Sequence, residues 1–534
     1  MQALVNGINV KEVSPLPGTY WVKYWHLLPV VGVLLSGVCM GYDVTLAESD
    51  LARMVTGLVY GEATGLRIHA GLHYGLSFSF GYYHLLYLVA PAHSLLDPDQ
   101  AAQLINAIGL VFAGLLALSC SLLLEKLFGG PVAAATTLSF LGSPMMLPFN
   151  ISGHPMVAAT ALMFFSTWLI LLAQERTLWA RSILLSFVFL FLTIGLTFRA
   201  EIAFAFPFVI ALSWLKARSG ARCQMQWALF TGGMCFVAIL VFLRLQHAYV
   251  AGEGGGIRVL ADFVSTFVRP RRIGQGLAVL ILGTGIGTFI SLAICVVSRR
   301  FEGPLSRVLA SLGGIVAVPS LLFWLPNPFP ARHFLFSILG LYLVFAAFAQ
   351  KLMTSIARAI LIGGGCILAN QICAELAYPI LVRSYNWTDQ VLIDNRRPNQ
   401  SIPLGAFPLN QSANVAKEAL YRKEAIDFAD TNPAQVLFLS DTQDYIIGQL
   451  LLRDSSLRIE EESIAGFKAK VLTNEHRQIY LISKYERYPK DALAEILAIP
   501  EFARWKIKEQ TLARSRYDKT ILPSDRAYDP IKIQ

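Results

Sequence analysis

Long apolar runs separated by short polar turns recur through the first 381 residues and then stop. Eleven can form a helix across a bilayer: 26–42, 101–124, 131–149, 154–173, 182–198, 200–215, 226–245, 275–297, 306–325, 333–350 and 359–381. Several lie near the minimum of about 17 residues that a bilayer core requires. The run from Leu76 to Ala90 is shorter; its roughly 15 residues reach only about 22 Å as a helix, against a hydrocarbon core of about 30 Å. It is predicted to lie in or against the interface.

Beyond residue 382 the period changes. Val436-Leu437-Phe438-Leu439 reads as a buried strand within 435–440, 441–452 as a capped helix, and 478–483 as a second strand. A Pro- and Asn-rich stretch near 394–413 reads as a linker. The expected architecture is a polytopic α-helical membrane protein of about 11 transmembrane helices. Residues 1–382 form the membrane module and 383–534 a C-terminal α/β extracytoplasmic domain.

Composition agrees. Of 534 residues 55% are hydrophobic and 15% charged, with a mean hydropathy of +0.54, values that exclude an ordinary soluble domain. Residues 1–382 carry 22 Lys plus Arg against 14 Asp plus Glu, and residues 383–534 carry 22 against 21. The basic excess therefore belongs to membrane loops, where it sets orientation, and gives no support to nucleic-acid binding.

With 76–90 kept out of the bilayer, Lys11, Lys23, Lys126, Arg176, Arg181, Lys216, Arg218, Arg222, Arg299, Arg300, Arg307, Lys351 and Arg358 fall on one side. By the positive-inside rule that side is the cytoplasm, which puts the N-terminus inside and the C-terminal domain outside. Cys39, Cys120, Cys223, Cys235, Cys295, Cys366 and Cys373 fall in spans or a cytoplasmic loop, so no disulfide framework is implied. Thr45-Leu46-Ala47 weakly resembles a signal-peptide cleavage site but runs straight into a charged motif; the first run is expected to stay as an uncleaved helix.

The external face then carries the candidate chemistry. Loop 43–100 holds Asp43, Glu48, Asp50, Arg53, His69, His73, Tyr74, Tyr82, Tyr83 and His84; later turns add His154, Arg199 with Glu201, and Arg332 with His333. The 246–274 loop adds Arg258, Arg269, Arg271 and Arg272. Ionisable groups at a membrane surface, and arginines where the rule expects few, need a reason. A phosphate is one, because the guanidinium fork matches its oxygens. At about 4 Å and an effective dielectric near 20 such a contact is worth about 4 kcal/mol before desolvation.

Leu51, Met54, Val55 and Leu58 recur at helical spacing, which predicts an amphipathic helix on the membrane with Asp50 and Arg53 on its wetter side. Two readings of Asp50 stay open: it caps the helix and pairs with Arg53 at i,i+3, or it is a base aimed at a cleft above the bilayer. Arg269-Pro270-Arg271-Arg272 is likewise open between a phosphate clamp and a headgroup collar. His73, His154 and His333 each have a bland reading as hydrogen-bonded structural histidines, and Arg199 with Glu201 as a pair at a helix turn. Gly252-Glu253-Gly254-Gly255-Gly256 lacks the Lys-Ser/Thr of a phosphate-binding P-loop and reads as a hinge.

Asp50-Leu51-Ala52-Arg53-Met54, following a first helix and preceding the aromatic Ser79-Phe80-Gly81-Tyr82-Tyr83, resembles the first external loop of the GT-C superfamily of membrane glycosyltransferases. The type includes lipid A aminoarabinose transferases and protein O-mannosyltransferases. The family motif often reads Asp-Glu-Ala-Arg-Tyr, so Leu51 stands where a second carboxylate is usual, and Glu48 or Asp43 is left to supply it. Thr197-Phe198-Arg199-Ala200-Glu201 and Pro330-Ala331-Arg332-His333-Phe334 resemble two further, weaker elements.

The resemblance covers roughly residues 20–350. It implies an inverting transfer of a sugar from a polyprenyl-phosphate carrier to a glycan, lipid or protein hydroxyl. Asp50 is the expected base, then Glu48, then Asp43. Arg332, His333, Arg269, Arg271, Arg272 and Arg199 are expected at the donor phosphate. His73, Tyr74, Tyr82, Tyr83, His154 and Glu201 are expected at the substrate. No cofactor is expected; a divalent cation, which some members use beside the first-loop acid, stays open. A lipid or glycan flippase, or a polyprenyl-linked glycan ligase, is the alternative. Against the flippase, the sequence shows no paired repeat.

Overall fold

The computed structural model describes residues 24–40, 49–64, 79–90, 98–217, 220–249, 277, 280–281, 283–290, 304–324, 334–349, 352–385, 436–440, 478–482, 507–508 and 532–533. The helices are α1 (Leu27–Met40), α2 (Ser49–Thr64), α3 (Phe80–Val89), α4 (Pro98–Phe128), α5 (Gly130–Leu141), α6 (Met146–Ile151), α7 (Pro155–Ala173), α8 (Leu178–Phe198), α9 (Phe206–Lys216), α10 (Gly220–Tyr249), α11 (Pro304–Trp324), α12 (Leu335–Ala349) and α13 (Ile356–Tyr385). Among the described residues five stretches are long and apolar enough to cross a membrane: Gln100–Phe128, Pro155–Ala173, Leu178–Phe198, Gly220–Ala248 and Ile356–Cys373. The protein is an integral membrane protein.

Helix α7 is apolar on all sides because it is surrounded, with 83% of its apolar stretch buried, whereas α13 with 17% and α10 with 22% present apolar faces outward, as lipid-facing helices do. At one end of the bundle Lys126 pairs with Glu175 at 2.8 Å, and Trp25 and His26 reach Glu125 at 3.4 and 2.9 Å. Helix α1 starts at this end and runs antiparallel to α4: a side chain on Gly114 would meet Val30 and Leu34, and one on Gly37 would meet Leu110. Its C-terminus therefore lies toward the other end, where His154 and Arg199 lie.

Three predicted spans are interrupted. The run 131–149 breaks between α5 and α6 at Gly142-Ser143-Pro144, because proline has no N–H to continue the ladder. The break is satisfied locally: Ser143 Oγ accepts from Met146 N–H at 3.3 Å, Asn150 Nδ2 donates to the Leu141 carbonyl at 3.1 Å, and Gln371 Nε2 to that of Gly142 at 3.3 Å. The run 200–215 opens as a 3-10 turn, Ala200–Ala205, and becomes α9 only where Pro207 fits a first helical turn. Within 275–297 the helix breaks at Gly285, whose φ of +107° admits glycine readily. Met145 N–H donates to the Gly283 carbonyl at 3.2 Å, joining two of these breaks.

Helices α11 and α12 cross closely because each presents a glycine to the other's backbone; a Cβ on Gly313 would lie 2.6 Å from the Gly340 carbonyl. Among the described residues of the C-terminal part, β1 (Val436–Ser440) pairs in parallel with β2 (Gln478–Ile482), with Val436 opposite Gln478. Strand β4 (Lys532–Ile533) pairs antiparallel with β2 and with β3 (Ile507–Lys508), giving the order β1-β2-β4-β3. The predicted helix 441–452 lies outside the described residues.

Candidate functional site

Of the residues singled out from sequence, the structure describes the side chains of Tyr82, Tyr83, His154, Arg199 and Glu201, and the backbone of Asp50. Asp43, Glu48, His73, Tyr74, Arg269, Arg271, Arg272, Arg332 and His333 lie outside the described residues. Asp50 sits in the first turn of α2. The apolar stripe of that helix, Leu51, Met54, Val55 and Leu58, is 0–2% exposed. It packs on α3 and α4 and so faces protein, not the lipid surface expected from its periodicity.

Two segments far apart in sequence, at His154 and at Arg199 with Glu201, meet where α7 begins and α8 ends. Gly153 takes φ +74°, and a side chain there would strike the Ile105 carbonyl at 2.6 Å, so the turn admits only glycine comfortably. His154 follows as the N-cap of α7: its Nδ1 accepts from Met156 N–H at 3.0 Å, and Pro155 occupies the first helical position. Helix α8 ends at Arg199, whose extended backbone turns its side chain toward that cap. Arg199 Nη2 lies 3.1 Å from His154 Nε2, and Nη1 lies 3.4 Å from Glu201 Oε1.

The cluster is sealed: His154 is 1% and Arg199 8% exposed. The imidazole thus sits between the Met156 N–H and the Arg199 guanidinium, with Glu201 on the guanidinium's other nitrogen, so the Arg199 side chain is fixed between two partners. Phe149 stacks on the His154 ring with centroids 4.9 Å apart.

Tyr82 and Tyr83 are both fully buried, and their hydroxyls bond to backbone. Tyr82 donates to the Gly153 carbonyl at 2.9 Å, while its ring meets Phe198 edge-on at 5.3 Å. Burial pushes its phenol well above the ordinary tyrosine value. Tyr83 donates to the Gly57 carbonyl at 2.8 Å, and Tyr87, which the sequence reading passed over, donates to that of Leu58 at 2.9 Å. Gly81 lies so close to Thr197 that any side chain would strike the Thr197 hydroxyl. The signal for these roles was present, since Tyr83 and Tyr87 are four apart on a helix, but their acceptors are backbone carbonyls that no side-chain pattern reveals.

No family model matches the chain, and no curated protein sequence does. Solved structures do. The crystal structure of ArnT from Cupriavidus metallidurans bound to undecaprenyl phosphate aligns with a TM-score of 0.55 at 15% identity, covering 96% of this chain and 98% of that one. The same protein in the apo state aligns at 0.51 and 15%, covering 95% and 98%. The resemblance read from the first loop and the whole-length likeness of fold thus converge, and this chain has the fold of ArnT.

Proposed function

We propose that the protein is an integral-membrane inverting glycosyltransferase that moves a sugar from a polyprenyl-phosphate carrier to an acceptor hydroxyl. One observation carries this reading: the whole chain shares its fold with a protein crystallised with undecaprenyl phosphate. The cluster at the start of α7 supplies fitting chemistry, a buried guanidinium held between an imidazole and a carboxylate. By the charge map this end of the bundle faces away from the cytoplasm, and in a bacterial inner membrane the C-terminal part is periplasmic.

In this mechanism Asp50, or failing it Glu48 or Asp43, takes the proton from the acceptor hydroxyl as that oxygen attacks the anomeric carbon. General-base catalysis of this kind contributes about 10² to 10⁴ in rate. The bond to the carrier phosphate breaks, and Arg199 with Arg332, His333, Arg269, Arg271 or Arg272 stabilises the charge that gathers on the leaving phosphate. His154 and Glu201 orient Arg199. His73 and Tyr74 bind the sugar or acceptor.

The test is release of undecaprenyl phosphate from undecaprenyl-phosphate sugars by the purified protein in nanodiscs with an envelope glycolipid extract as acceptor. Asp50→Asn is expected to abolish release while the protein still binds undecaprenyl phosphate. Full activity in that variant removes Asp50 from the mechanism, and loss in Glu48→Gln or Asp43→Asn in its place reassigns the base.

The broken helices at Gly142–Pro144 and Gly285 favour a second reading, a lipid flippase, since transporters build sites on such breaks. Ionisable groups mark transport paths, whereas the side chains that stitch these breaks are the neutral Ser143, Asn150, Asn370 and Gln371. Scrambling of a fluorescent polyprenyl phosphate in proteoliposomes, without sugar transfer, would replace transfer with this reading.

A further inference from the structure

Helix α3 touches both halves of the candidate site. On one face Tyr83 and Tyr87 donate to the Gly57 and Leu58 carbonyls of α2, and the two hydroxyls lie 3.1 Å apart, so one turn of α2 is held at adjacent points. Seven residues upstream, about 10 Å along the helix axis, α2 carries Asp50. On the other side Tyr82 donates to Gly153, the residue before His154, while Gly81 abuts Thr197 and the Tyr82 ring packs on Phe198, the residues before Arg199. Phe112 closes the aromatic contact, edge-on to Phe198 at 5.8 Å. Helix α4 also packs on α2 and, through Ile105, on the Gly153 turn, but α3 adds side-chain hydrogen bonds to both.

We infer that α3 is a strut that sets the spacing between the acid-bearing helix α2 and the His154–Arg199 cluster. Tyr83 and Tyr87 are positioning residues for the first and Tyr82 for the second. This rests on the transfer reading above. None of the three tyrosines touches substrate in this assignment: each acts through a backbone carbonyl, and the ring alone cannot replace it. A general base must hold its proton acceptor within hydrogen-bond reach of the attacking oxygen, and misplacement by about 1 Å costs on the order of 10² in rate. A loosened α2 therefore shows in turnover, and a loosened Gly153 turn in use of the donor.

The experiment uses Tyr→Phe variants, which keep the packed ring and remove only the hydroxyl, in the full-length protein in nanodiscs. Hydrogen exchange, which needs no substrate, should rise across 49–64 and not across 153–157 in Tyr83→Phe/Tyr87→Phe, and show the converse in Tyr82→Phe. Steady-state kinetics with an undecaprenyl-phosphate sugar should show kcat falling about tenfold with little change in donor KM for the first variant. Tyr82→Phe should raise donor KM more than it lowers kcat.

A uniform rise in exchange, no change in exchange, or parallel changes in kcat and KM in both variants overturns the strut. If the wild-type protein transfers no sugar, the functional reading fails, and the exchange pattern still decides whether α3 holds the two regions.

Discussion

The polar network around Asn370 and the one around Arg199 are both sealed from solvent, yet only the second contains charge. Midway along α13, Asn370 accepts from Thr288 N–H at 3.0 Å and donates to Thr288 Oγ1 at 2.7 Å and to Tyr342 at 3.2 Å; Tyr342 in turn donates to the Thr284 carbonyl at 2.6 Å. These neutral groups close the backbone gap opened by Gly285, against which the Asn370 amide lies. Every bond has an obvious structural purpose, because free backbone groups in an apolar interior cost several kcal/mol each. At the end of α8 no such gap explains a guanidinium: Arg199 N–H already caps Gly195 at 2.9 Å, and the side chain meets a histidine and a carboxylate. Where neutral amides would have served the fold, a buried charge points to function.

Removing the charge tests that contrast most severely. Arg199→Ala removes the guanidinium that meets both His154 and Glu201 and is expected to cost about 2 kcal/mol, the range for losing a hydrogen bond to a charged group. It should also lower sugar transfer by 100-fold or more. The double replacement Arg199→Met/Glu201→Leu sharpens the comparison: apolar substitutes for a buried pair are often neutral for stability, so the melting temperature should largely recover while transfer stays lost. Recovery of both would reduce the cluster to a structural pair.

Asn370→Leu is the matching experiment in the neutral network. It leaves the Thr288 N–H without its acceptor, while the Thr288 hydroxyl keeps Cys366 Sγ at 3.1 Å, and should destabilise the protein by about 2 kcal/mol, read by thermal melting. Transfer per folded molecule should remain near wild type. A selective loss of transfer with unchanged melting would give the break at Gly285 a role in the reaction.

Gly153→Ala stands between these two. A φ of +74° and the Ile105 carbonyl 2.6 Å from the new Cβ predict a cost of about 1–2 kcal/mol, together with displacement of the His154 cap. Activity should fall more than stability alone explains, measured as turnover per folded molecule below the melting transition.

The spans α4, α7, α8, α10 and α13 were legible because an apolar run of sufficient length has few other solutions in a bilayer. The breaks were less so. The sequence reading ran single spans through Gly142-Ser143-Pro144 and Gly285, because the groups that satisfy these breaks are Asn150, Gln371, Asn370 and Tyr342, partners up to 229 residues away. Arg199, Glu201 and His154 were named from their unusual place at helix ends; that they meet depends on the Gly153 turn, which no spacing rule joins to residue 199. Leu51, Met54, Val55 and Leu58 had the right period and the wrong partner, because periodicity reports that a face is apolar and not whether lipid or protein covers it.

His84 gives the mildest test, on the same helix as the three tyrosines. It is half-buried, and that burial pushes its imidazole below the ordinary value of 6.5. The folded protein therefore holds fewer protons at this position than the unfolded chain just below pH 6.5, and stability must fall as pH drops through that range; above it the contribution is fully present. His84→Gln removes the titration, so its melting temperature should change less between pH 7 and pH 5 than that of the wild type. The effect is confined to α3, while His154 lies on another element with its Nδ1 accepting from the Met156 N–H. If the pH dependence vanishes with His154→Gln and persists with His84→Gln, the acid-sensitive histidine belongs to the charged cluster and not to the helix beside it.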